Sequence, residues 1–213
     1  MKVQIDLKAM IYLSLGFSLS LILARVVYSG SLHYVFISWN LFLAWVPYRL
    51  SILLNEKKDS AGVFQTALLF CWLIFFPNAP YVITDFLHLG ESPKVPLWFD
   101  VLLLFTASWN GLVLGLISLF YVERFMEYKF NRRIATYGIV AFVFLSGFGV
   151  YAGRYLRWNS WYVFTRPGSI IEGTADRLFN PQDHPATWGV TFLFGAMLLI
   201  MYFTIKKIRF ITR

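Results

Sequence analysis

Charge is what this sequence has least of. Asp, Glu, Lys and Arg make up 14% of its 213 residues, where a soluble globule carries about 25%. With 58% hydrophobic residues and a mean hydropathy of +0.61, the composition excludes a globule folded in water. One cysteine, Cys71, sits inside an apolar run, so no intramolecular disulfide can form. The three histidines form no HExxH pair and no GxSxG string occurs, so the signatures of a zinc protease and a serine hydrolase are missing. Internal repeats and low-complexity tracts are absent as well.

What is there is a series of long apolar runs, at 9–28, 32–54, 61–76, 98–121, 134–153 and 187–205. About 20 residues cross a ~30 Å hydrocarbon layer at 1.5 Å per residue. Barrel strands would alternate in and out, whereas these runs are apolar all round. The sequence therefore predicts an all-α membrane protein: a single polytopic domain over 1–213, a bundle of about six transmembrane helices. The third run is short and closes on Pro77 and Pro80, which cannot sit in a regular helix interior, so a bent third span is expected. Asn78 is placed to bond the backbone groups such a bend frees, and a bend of this kind must line a cavity rather than face lipid. The opening MKVQIDLK before an apolar run imitates a signal peptide with a site at Val27-Tyr28-Ser29. Ser14, Ser18 and Arg25 fall near one helical face, however, and predict a retained helix that packs.

Basic residues set the orientation. With the N-terminus in the cytoplasm, thirteen of the nineteen lysines and arginines fall inside, including Lys2, Arg209 and Arg213. The acidic residues divide almost evenly, so the whole net charge of +8 sits on the cytoplasmic face. That is the positive-inside pattern, with both termini cytoplasmic and the charge facing anionic lipid heads; it is not a nucleic-acid footprint. The inner connections NEKKDS and ERFMEYKFNRR are short and merely charged. The outer ones, PNAPYVITDFLHLGESPKVP and a long loop between helices 5 and 6 from 158 to 186, are rich in Pro, Trp, Asn, Asp and His, and all three histidines lie on that side.

Small residues at four-residue spacing, Gly149 and Gly153 on the fifth helix and Ala107, Gly111 and Gly115 on the fourth, predict a groove through which these two helices touch. Beyond Gly153 the fifth helix carries Arg154 and Arg157, then Trp158, Asn159, Ser160 and Trp161. Asp85 and Asp100 reach the same outer level, and Arg25 and Asn40 come up toward it from the first two helices. Charges at that depth pair by default, so Asp85 or Asp100 is expected to meet Arg154 or Arg157, with the tryptophans as interfacial anchors. A sharper expectation is a pocket for an anionic or polar headgroup. It would be lined by Arg154, Arg157, Asn159, Asn78, Asn40, Asn110, Trp158 and Trp161, with the guanidinium forks suited to phosphate or carboxylate.

Asp85, His88 and Asp100 are the candidate catalytic acids and bases. Asp85, His88 and His184, with Glu91 and Asp100 nearby, carry the atoms a metal would need, at no spacing that specifies one. The middle of the membrane holds only the amides Asn40 and Asn110, which argues against a proton-driven pump but leaves a flippase or passive channel open. No cofactor is indicated.

The strings WNLFLAWVPY (39–48), WLIFFPNAPYVITDFLHL (72–89), WFDVLLLFTASWNGLVLG (98–115) and SGFGVYAGRYLRWNSWYV (146–163) resemble the bacterial membrane-protein family known as domain of unknown function 1361, over about 15–205. The resemblance implies a multi-pass protein of the bacterial inner membrane and no established reaction. Three functions follow as expectations. One is an integral protein that binds a lipid headgroup or envelope precursor in an outward polar pocket. The others are an intramembrane enzyme, with or without a metal, acting on a lipid-linked substrate, and a small transporter or flippase component.

Overall fold

The computed structural model describes residues 6–90 and 94–211, the last three by backbone alone. Lys2, Glu91, Arg213 and the Arg209 side chain lie outside the described residues. The described elements are helices: α1 (Leu7–Ser29), α2 (Phe36–Glu56), α3 (Gly62–Phe75), α4 (Asn78–Tyr81), a 3-10 segment (Val82–His88), α5 (Leu97–Lys129), α6 (Arg132–Tyr155), α7 (Tyr162–Thr165), α8 (Pro167–Phe179), a 3-10 turn (Pro181–Asp183) and α9 (Pro185–Ile211). Six of the helical stretches are long and apolar enough to cross a membrane, the third being 62–88 with its bend. Large apolar side chains stand exposed around the bundle, among them Leu13 at 67% and Leu193 at 73%. Lipid, not water, is the solvent for such a surface, and the chain is a multi-pass membrane protein.

α5 is the axis. At 33 residues it is about 50 Å long, more than a hydrocarbon layer needs. One core gathers Trp72, Phe76, Leu119, Ile139, Val143 and Tyr202 from the third span, α5, α6 and α9. The other gathers Ile22, Ile37, Ala44, Leu103, Leu104 and Ala107 from α1, α2 and α5. Trp72 donates its indole N–H to Ser118 Oγ at 2.6 Å, so the one polar atom of the largest buried side chain is satisfied.

Hydropathy places the end of the fourth span at 121, but nothing breaks the helix there, and α5 continues through eight more residues. Glu123, read from sequence as part of a charged connection, is buried within α5, where it accepts from Tyr202 Oη and Lys206 Nζ of α9. The 158–186 segment is likewise structured, its α8 carrying exposed Ile171, Leu178 and Phe179.

The third span bends where the prolines require it. α3 stops at Phe75, and the Ala79 N–H reaches only as far back as Phe76 O. That leaves Phe75 O without its usual partner, and Asn78 Nδ2 supplies one at 2.8 Å. The chain then turns through α4 and the 3-10 segment along one end of the bundle, here termed the loop end. The two rows of small residues explain how it fits. A Cβ on Gly111 would come within 2.5 Å of Ala79 O and 3.1 Å of Val82, and one on Gly149 would strike the ring of Pro77. The expected groove joining the fourth and fifth long helices is therefore filled: at these glycines α5 and α6 each receive the bent segment lodged between them. Glycine is required because backbone and proline ring, not flexible side-chain ends, occupy the space.

Candidate functional site

Among the described residues two buried ion pairs hold the loop end together; one, Asp85 with Arg154, is among those the sequence suggested, and the other is not. Asp100, in the first turn of α5, is 1% exposed and receives a bidentate fork from Arg25 of α1: Nε to Oδ1 at 2.7 Å, the terminal nitrogen to Oδ2 at 2.9 Å. The expectation that Asp100 meets Arg154 or Arg157 is thus corrected. A residue 75 positions earlier was free to rotate into reach because α1 packs along α5 through Ser18 and Arg25. The Arg25 guanidinium also lies 4.3 Å from the ring centroid of Tyr34, whose hydroxyl donates to His88 O at 2.9 Å. Burial pushes the Tyr34 phenol above its ordinary pKa, with the Asp100 charge adding to it.

Asp85 forms the second pair. Its side chain is 1% exposed; Oδ1 accepts from Arg154 at 2.6 Å and Oδ2 from Asn40 at 2.8 Å. Arg154 is held on further sides by Thr84 Oγ1, by His88 Nε2 at 2.9 Å and by the Tyr81 ring 4.7 Å from its centroid. The 3-10 geometry explains why Asp85 and His88 serve the same arginine, since residues three apart eclipse in that helix. Thr84, Tyr34 and Tyr81 are parts of this network that motif reading passed over. Each looks like an ordinary helix or belt residue until the bend turns it inward.

Arg157 takes no part. It is exposed, forms no ion pair or hydrogen bond through its side chain among the described residues, and has φ 56°, the one non-glycine among them in the left-handed region. There it reverses the chain after α6, and the Trp158 N–H returns to Ala152 O. Its role is in the backbone.

Asn110 is buried and spent on α1, donating to Ser18 Oγ at 2.8 Å and Ser14 O at 3.1 Å. His184 is separated from the Asp85 group and bonds Asp176 at 2.8 Å; hydrogen bonds from Asn180 and then His184 hold the Asp176 carboxyl below the usual range. Among the described residues, no three His, Cys, Asp or Glu side chains come together as a metal site. Both Asp85 oxygens and the Asp100 fork are engaged, so neither carboxylate is poised as a free base.

Beside the Asp85 network lies a cavity of about 250 Å³, walled by α2, the bent third span, α6 and the 158–170 segment. Its polar lining is Asn40, Asn78, Asn159 and Ser160, and Asn78 Nδ2 donates to Ser160 Oγ at 2.9 Å. Trp39, Tyr81 and Trp158 border it with rings, and Leu43, Leu73, Ile74, Phe148 and Ile170 give it an apolar side. Trp158 is braced by α8, where a Cβ on Gly173 would come within 2.7 Å of the indole. Of the expected binding residues, Asn40, Asn78, Trp158 and Asn159 line this cavity; Arg154, Arg157, Asn110 and Trp161 do not. Among the described residues, no charged side chain lines it. A second cavity, at the opposite end, is bordered by Asp6, Lys8, Glu56, Lys58 and Arg124 and holds none of the expected site residues.

Neither the curated proteins nor the solved structures include a match to this chain. Residues 39–201, a stretch that takes in the bent span and the cavity walls, match the family described as Protein of unknown function (DUF1361), and the chain belongs to that family.

Proposed function

We propose that this protein holds the polar headgroup of a membrane lipid or lipid-linked envelope precursor in the loop-end cavity. The observation that carries the reading is the mixed lining. Amides, a hydroxyl and tryptophan rings share the wall with aliphatic side chains, most of them from the membrane-spanning helices. An amphipathic ligand lying at a bilayer interface presents the same mixture. The saturated Asp85 network serves as the wall that keeps Asn40 and Tyr81 in place.

In this reading the membrane is the bacterial inner membrane, the loop end faces away from the cytoplasm and both chain termini face the cytoplasm, as the uneven basic residues favour. Alkaline phosphatase fused after Arg213 then stays inactive in cells, and the same reporter inserted after Gly168 is active. The reverse pattern would overturn the orientation.

Extraction of the whole protein in mild detergent followed by native mass spectrometry tests the cavity. The wild type is expected to carry a lipid adduct. Asn159→Ala removes an amide that has no partner among the described residues, so occupancy falls about three- to tenfold while the melting temperature stays put. Ile74→Trp fills the apolar side and abolishes the adduct. Equal adducts in all three proteins would contradict the proposal.

A further inference from the structure

From the hydrogen-bonding capacity left open in the cavity, we infer that the headgroup it takes is an uncharged sugar ring; this rests on the headgroup reading above. Asn159 contributes a whole amide, with two donors and an acceptor, because its side chain forms no bond among the described residues. Asn78 has used both amide hydrogens, on Phe75 O and Ser160 Oγ, and keeps its carbonyl oxygen open. Ser160 accepts from Asn78 and keeps its hydroxyl hydrogen. Asn40 spends one hydrogen on Asp85 and keeps the other, with its oxygen.

The open set thus mixes donors and acceptors in similar number and includes no charge. A phosphate or carboxylate offers acceptors only, so it would face the open amide oxygens without a cation to offset them. Arg154, whose guanidinium stacks on the Tyr81 ring, does not line the cavity and is already committed to Asp85, Thr84 and His88. A sugar hydroxyl both gives and receives, which is what this lining asks for. The C–H faces of a pyranose ring carry slight positive charge and pack on aromatic rings, and Trp39, Tyr81 and Trp158 bring such rings to the lining. At about 250 Å³ the space lies just under the ~300–1,000 Å³ of typical small-molecule sites, room for a single ring and not a chain of them.

The full-length protein is placed in phosphatidylcholine nanodiscs, free of glycosidic detergent, and its tryptophan fluorescence is titrated with three lipids: monoglucosyl diacylglycerol, phosphatidylglycerol and diacylglycerol. A further arm uses free glucose. The glucosyl lipid is expected to give a saturable change at least tenfold tighter than either other lipid, and Asn159→Ala should weaken it at least threefold. Trp158→Phe, which keeps a ring beside Gly173 but not the indole, should remove most of the signal and weaken the binding measured by mass less than Asn159→Ala does. Phosphatidylglycerol binding as tightly, with the same Asn159 dependence, would overturn the sugar and leave the headgroup cavity standing. If no lipid gives an Asn159-dependent change, both readings fall. If glucose matches the glucosyl lipid, the sugar ring is upheld and the lipid part of the proposed function is lost.

Discussion

Asp100→Leu and Arg25→Met each unfold much of the protein, and the two together restore it. Either single change leaves one full charge, from residues 1% and 4% exposed in side-chain terms, buried without its partner. Breaking such a pair costs about 3–5 kcal/mol, because the remaining ion keeps its desolvation penalty and loses the attraction that offset it. For a chain of this length that is a drop of roughly 6–20 °C in melting temperature. The double replacement removes both charges and leaves apolar groups of similar size, which is often neutral or better. The restored value is expected within about 5 °C of wild type, short of full recovery because Arg25 also stacks on Tyr34. The readout is a thermal melt followed by size-exclusion chromatography in detergent. Singles that melt with the wild type would mean the fork is not formed.

The second large effect comes from the seat of the bent span. Gly111→Ala drives a methyl group to 2.5 Å from the carbonyl oxygen of Ala79, and backbone cannot step aside as a side-chain tip can. Overpacking of this kind costs about 1–3 kcal/mol, and Gly111→Leu, with three more carbons to place, is expected to prevent folding. Gly16→Ala is the control. Nothing lies within 4 Å of the added carbon there, and the helix gains up to about 1 kcal/mol from alanine's greater propensity. The same methyl group therefore destabilises at one glycine and stabilises at the other. If both variants melt alike, the bent segment does not sit against α5.

How much of this was legible depends on whether the cause is local. Pro77 and Pro80, three apart, remove two backbone donors and crowd the preceding turn at one place, so the bend and the task of Asn78 could be read directly. The apolar runs gave six spans for the same reason, and Asp85 with Arg154 followed from the cost of bare charge at that depth. Asp100 was harder, because its partner depends on how α1 is rotated against α5. The Ser14, Ser18 and Arg25 face hinted at that packing but did not name the contact. Hydropathy ended α5 before the charges that follow Tyr121, yet helices stop at breakers, and none lies between Tyr121 and Lys129; Glu123 was misplaced as a result. Arg157 carried no signal at all, since nothing in an arginine announces a left-handed backbone. The neutrality of the cavity was hidden as well. Sequence sets guanidinium groups beside amides, and only the three-dimensional arrangement turns them to different neighbours.

One meeting builds the cavity: the bent third span and the segment after α6 wall the same space, with Asn78 donating to Ser160 across 82 positions of chain. In a Cys71→Ser background, Asn78→Cys and Ser160→Cys place two thiols at that contact, and a short bis-thiol reagent reports on it. Efficient crosslinking within one chain, absent from either single-cysteine control, is the predicted result. A folded double variant in which both thiols react singly and never with each other would contradict it.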